Sequence, residues 1–142
     1  MAGYILHKED AGVMLPGSAV DHRLYAKHGI RGIRGEVACG LPSLSEIGLP
    51  VFRGCLEQGM NRNDAGVLTL LHLIAHVEDT NMIARGGLEL AREGAEQAAQ
   101  LLKQYPSAAR VEALDDWFIL RNLSPGGCAD LLAAVFFVHD LT

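Results

Sequence analysis

The sequence predicts an all-α protein, a multi-helix bundle with a buried central helix. No segment shows sustained period-2 alternation, the mark of a half-buried strand. Apolar residues recur instead at helical spacing after residue 16, with Ser, Asn, Pro and Gly standing where helices begin and end. The stretch "VLTLLHLIA" (67–75) is apolar on nearly every face. A helix of that kind belongs in the middle of a bundle.

Taken in order, residues 1–16 lack periodicity and read as an N-terminal arm of uncertain structure, and residues 17–142 as one helical domain. "GSAVDHRLYAKHG" (17–29) opens with Ser18 and Asp21 in capping-box spacing and closes at Gly29. "IRGIRGEVACGLPS" (30–43) is a glycine-rich connector carrying Arg34 and Glu36. "LPVFRGCLEQG" has Pro50 near a helix start and Gly59 at its stop. "NRNDAGVLTLLHLIAHV" takes Asn63 as N-cap and runs to Val77. "GGLELAREGAEQAAQLLKQ" is amphipathic, with Leu88, Ala91, Ala95, Ala98 and Leu102 along one stripe. "SAARVEALDDWFILRN" turns Val111, Leu114 and Phe118 inward and sets Asp115 on the next position around. "SPGGCADLLAAVFFVHDL" begins with Ser124 as N-cap and Pro125 at the first helical position.

Composition narrows the function classes. A chain of 142 residues, 49% hydrophobic and 20% charged, suits one globular domain with a real core. The net charge of −5 and the lack of any basic stripe argue against nucleic-acid binding. Three cysteines without CxxC spacing exclude a disulfide framework or zinc knuckle and fit a reducing cytoplasm. "MAGYILHKED" does not read as a signal peptide. "ADLLAAVFFV" is about half the length of a bilayer span, so no membrane role is expected.

Chemistry concentrates in a few places. "EDTNMIARGG" delivers Glu78, Asp79, Asn81 and Arg85 directly after the apolar helix. Carboxylates and amides are hard oxygen ligands suited to magnesium, which usually also holds substrate phosphates. Gly86 and Gly87 at the next helix start would let backbone N–H groups approach an anion. The bland alternative is a solvated turn with a capping acid. "RNLSPGGCADLL" offers a second phosphate-binding type of helix start, with Asp130 inside an otherwise apolar helix. Such a carboxylate needs a cation, supplied by a metal or by a neighbouring Arg. His72 and His76 are four apart on one face, but Leu73 stands where a metalloprotease glutamate would be. They read as core or rim histidines, and Met14, Met60, Met82 and Trp117 as fillers of core or interface gaps.

Together, "LYAKHGIRGIRGE", "EDTNMIARGG" and "LSPGGCADLLAA" resemble the triphosphoribosyl-dephospho-CoA synthase family. The blocks stand in the family's order, and the resemblance covers residues 17–141, corresponding to the second half of the family's usual chain. It implies an all-helical transferase that expels adenine from ATP and moves the triphosphoribosyl group to the 2′-hydroxyl of 3′-dephospho-CoA. The product is the prosthetic-group precursor of citrate lyase or malonate decarboxylase. The resemblance carries over to Arg34, Glu36, Asp79, Thr80, Asn81, Arg85, Gly86, Gly87, Asp115, Asn122, Ser124, Pro125, Gly126, Gly127 and Asp130. Position 128 departs from it, holding Cys where the pattern has Ser.

On this basis Glu36, Asp79 and Asp130 are the expected catalytic residues. Arg34, Asn81, Arg85, Gly86, Gly87, Asn122, Ser124, Gly126 and Gly127 are expected to bind nucleotide and phosphate. Asp79, Glu78 and Asp130 are expected to hold Mg²⁺. A separate polypeptide supplying the family's first half is an expected partner. Self-association is expected too, because half a bundle leaves apolar faces open. Two other readings stand beside the enzyme: a non-catalytic helical assembly module that keeps the fold, and a metal-dependent hydrolase built on His72, His76 and Asp79.

Overall fold

The structure, a computed structural model, describes residues 40–142. The N-terminal arm, the helix expected over 17–29, Arg34, Glu36 and Met14 lie outside the described residues. Six α-helices follow a π-helical turn at Leu44–Gly48, and no strand occurs among the described residues. They are α1 (Leu49–Glu57), α2 (Arg62–His76), α3 (Thr80–Gly86), α4 (Leu88–Lys103), α5 (Ala108–Leu120) and α6 (Gly126–Leu141).

Local chemistry accounts for most boundaries. Pro50 sits in the first turn of α1, where the chain passes from the π-helical turn into the α-helix. Gly59, at φ 89°, closes that helix. The Met60 N–H reaches the Cys55 carbonyl and the Gly59 N–H reaches Leu56, the paired bonds of a Schellman stop. The cap of α2 differs from expectation. Asn61, not Asn63, accepts from the Asp64 backbone N–H at 2.8 Å, and its amide returns a bond to the Asp64 carboxylate at 3.0 Å. Two residues earlier in the chain, Asn61 has the extended backbone a cap needs, while Asn63 lies within the first turn.

Helix α2 is the centre of the bundle, packing against α1, α4, α6 and the π-helical turn. Its Leu71, Leu73 and Ile74 enter a larger core with Met82, Ile83, Ala98, Phe118 and Leu131. Its Ala65 enters a smaller one with Leu44, Phe52 and Val135. The buried Thr69 hydroxyl donates to the Ala65 carbonyl at 2.7 Å, so its polar group is satisfied within α2 itself. Helix α5 is attached more lightly. Phe118 is buried and Val111, Leu114 and Trp117 are half-buried, whereas Asp115 points to solvent. Met82 and Met60 fill gaps in the two cores.

Candidate functional site

Helix α2 ends at Val77, whose extended backbone turns the chain into Glu78 and Asp79. Asp79 is 4% exposed, and a carboxylate so buried needs donors. It finds three. One oxygen accepts from the backbone N–H groups of Asn81 (2.9 Å) and Met82 (3.3 Å), capping α3. The other accepts from the backbone N–H of Cys128 at 2.9 Å, inside the first turn of α6. One side chain therefore caps two helices whose starts are far apart in sequence.

This arrangement corrects the expected start of α6. Ser124 makes no capping bond, Pro125 takes the N-cap position and the helix begins at Gly126. The Cys128 N–H in the first turn is served by Asp79, from a distant part of the chain. A carboxylate near a helix N-terminus adds a favourable charge–dipole term that a hydroxyl lacks.

The glycines explain how the blocks approach so closely. A Cβ on Gly127 would lie 3.0 Å from an Asp79 carboxylate oxygen, and one on Gly126 would lie 3.0 Å from the Asn81 side-chain nitrogen. A Cβ on Gly86 would meet the Leu123 and Leu90 side chains at 2.6 and 2.9 Å. Gly87 has φ 86° and ψ 165°, a conformation almost restricted to glycine, and its N–H is bound to the Ile83 carbonyl at 2.8 Å. Each glycine of the two motifs thus has a packing or backbone duty.

One further bond completes the cluster. The Arg85 guanidinium donates to the Asn122 side-chain oxygen at 3.2 Å. Asn122 adopts φ 53°, a left-handed conformation asparagine tolerates better than most residues. Asn81, Arg85 and Asn122 are all exposed, so this edge of α3 and the turn before α6 present a polar rim to solvent. The structure therefore brings Asp79, Asn81, Arg85, Asn122, Gly126 and Gly127 together.

The acids are distributed unevenly. Burial, reinforced by the negative charge of Asp79, pushes the Asp130 carboxyl up from its ordinary value. Glu78 turns the other way and accepts from Arg92 of α4 at 3.3 Å. A small cavity of about 30 Å³ lies there, lined by Ile74, Met82, Ile83 and Ala91 and edged by Glu78, Asp79 and Arg92. Glu78, Asp79 and Asp130 are not gathered into one ligand set, and no cluster of three His, Cys, Asp or Glu with metal-binding geometry occurs among the described residues. His72 and His76 stack with ring centroids 6.3 Å apart, and His76 Nδ1 engages the His72 carbonyl at 2.8 Å. Burial and the neighbouring His76 push the His72 imidazole down, favouring its neutral form.

Sequence reasoning missed α3 as a helix. Its signals were present: Asp79 as cap, Met82 and Ile83 at the third and fourth positions, and Gly87 as stop. The Asp79–Cys128 and Arg85–Asn122 bonds had no local signal.

No helix among the described residues is long and apolar enough to cross a membrane. No solved structure matches the chain. A probable 2-(5″-triphosphoribosyl)-3′-dephosphocoenzyme-A synthase from Vibrio cholerae serotype O1 is 40% identical over 124 residues, covering 84% of this chain and 40% of the relative. The synthase of that name from Pectobacterium atrosepticum is 38% identical over 116 residues, covering 82% and 38%. A probable one from Salmonella gallinarum is 41% identical, covering 78% and 38%. The chain thus spans about two fifths of the length of the curated relatives it matches. Residues 10–142 match the model of the ATP:dephospho-CoA triphosphoribosyl transferases, and the chain belongs to that family.

Proposed function

We propose that the chain forms part of an enzyme that transfers the triphosphoribosyl group of ATP to the 2′-hydroxyl of 3′-dephospho-CoA and releases adenine. The observation that carries this reading is the convergence of the DTN, RGG and SPGG blocks on one polar rim through Asp79, Asn81, Arg85 and Asn122. Blocks separated by some forty residues need not meet if each only ends its own helix.

The chemistry divides among these groups. Breaking the bond between the ribose and adenine builds positive charge on the ribose, which a nearby carboxylate stabilises. We assign this role to Asp130, which is half-buried and close enough to Asp79 to feel its charge. Arg85, held by Asn122, meets phosphate oxygens, and Asn81 offers its amide beside Gly126. The acceptor hydroxyl forms the new bond to the ribose and gives its proton to a base, for which Glu36 is the candidate. Magnesium fits the donor chemistry only in part. It is commonly held by one or two carboxylates together with substrate phosphates, and Asp130 can supply one. When bound, it would neutralise triphosphate charge.

The test is adenine release from ATP in the presence of 3′-dephospho-CoA, followed by chromatography. It is run on the chain alone and with a polypeptide spanning the rest of the relatives' length. Release that depends on both substrates and is lost in Arg85→Ala is expected. No release in either mixture would overturn the proposal.

A further inference from the structure

We propose that Asp79 is a positioning residue, a clamp that sets the spacing between the Asn81–Arg85 edge of α3 and the start of α6, and is not itself a metal ligand. The carboxylate accepts three backbone N–H bonds, two from α3 and one from α6, at 2.9 to 3.3 Å. With the residue 4% exposed, those three bonds occupy most of its accepting capacity. A metal ligand at the mouth of a site needs lone pairs directed outward. Asp79 spends its lone pairs inward.

Gly127 is the second half of the clamp. Any side chain there would press on the carboxylate, whose Oδ1, Cγ and Oδ2 lie 3.0, 3.1 and 3.3 Å from the Cβ position. The neighbouring Gly126 does the same for Asn81, at 3.0 Å. Rim and helix start are thus held at one separation by a carboxylate on one side and missing side chains on the other. The α6 start is also filled by the protein's own anion, so the substrate phosphates fall to Arg85 and Asn122 rather than to that helix dipole.

The identity of the ligand rests on the ATP-using reading above, whereas the clamp does not. Two variants test it. Asp79→Asn can satisfy α3 or α6 but not both, because one of its two atoms is now a donor. Gly127→Ala leaves the carboxylate and its charge in place and only displaces it. In Asp79→Asn, exchange of the Cys128 amide proton should accelerate on the order of tenfold or more. Affinity for free Mn²⁺, read from water-proton relaxation, should stay within about twofold of wild type. Both variants, measured well below their melting temperatures, should bind ATP on the order of tenfold more weakly, the effect of displaced contacts.

Asp79→Asn that keeps the Cys128 amide protected and loses Mn²⁺ affinity would overturn the clamp, as would Gly127→Ala that binds ATP like wild type. Should Asp79→Asn fail to fold, Gly127→Ala decides by its own Cys128 exchange and ATP affinity. A wild-type chain that binds neither ATP nor Mn²⁺ removes the ATP-using reading, and the Cys128 exchange rate then decides the clamp alone.

Discussion

The Arg85 guanidinium donates to the Asn122 side-chain oxygen across 3.2 Å, joining the last turn of α3 to the turn before α6. Asn122 must hold φ 53° for this to happen. Two substitutions separate backbone from bond. Asn122→Gly loses the bond but accepts the conformation, whereas Asn122→Ala loses both. The alanine variant should be less stable than the glycine variant by about 1 kcal/mol, the usual cost of a left-handed L-residue. Denaturant unfolding of the pair measures it, and equal midpoints would contradict the assignment of strain.

Ser124→Ala should leave stability within about 0.5 kcal/mol of wild type, although loss of a true N-cap usually costs about 1 kcal/mol. The reason is that Ser124 does not cap α6. Asp79→Ala should cost about 3 kcal/mol or more, because it strands backbone donors at two helix starts. Thermal or chemical unfolding of the two variants makes the comparison. A larger loss in the serine variant would return the cap to its local position.

Gly87→Ala should destabilise by about 1–3 kcal/mol through backbone conformation alone, since nothing lies within 4 Å of its Cβ position. Gly86→Ala acts by another route, pushing on the Leu123 and Leu90 side chains. Replacing Leu123 by a smaller residue should therefore recover stability in Gly86→Ala and not in Gly87→Ala.

Acidity gives a prediction with a definite sign. Asp130 has a folded-state pKa above its ordinary carboxylate value, so the folded state binds more protons than the unfolded state between those two pKa values. Its contribution favours the folded state at low pH and is lost as pH rises through that window. Asp130→Asn should thus be more stable than wild type at neutral pH, and the gain should vanish below the ordinary carboxylate range. His72 acts in the opposite direction. Its lowered pKa makes acidification below its ordinary value destabilising. Urea midpoints of wild type and Asp130→Asn across pH give the answer, and a gain that does not depend on pH would refute it.

These sites show what a linear chain displays and what it hides. Pro50 and Gly59 mark α1 because their backbone restrictions act within a single turn. The central place of α2 is legible because a helix apolar on most faces has nowhere else to go. The family blocks are legible as residue types in order. Their duties are not. Asp79 reads as a ligand because its second partner, the Cys128 N–H, stands 49 positions away. Gly126 and Gly127 read as a phosphate loop because a close approach by Asn81 and Asp79 leaves no trace in neighbouring residues. The misplaced cap at Asn63 is a smaller error of register, with two asparagines flanking one arginine and either able to start a helix by type.

Helix α3 has seven residues, too few to hold a helical shape in water by its own hydrogen bonds. Its order is borrowed from Met82 and Ile83 in the core and from the shared cap at Asp79. The edge that carries Asn81 and Arg85 therefore depends for its stability on the docking of α4 and α6. Its amides should be the first to exchange with solvent, and its geometry reports on whether the rest of the bundle has been completed.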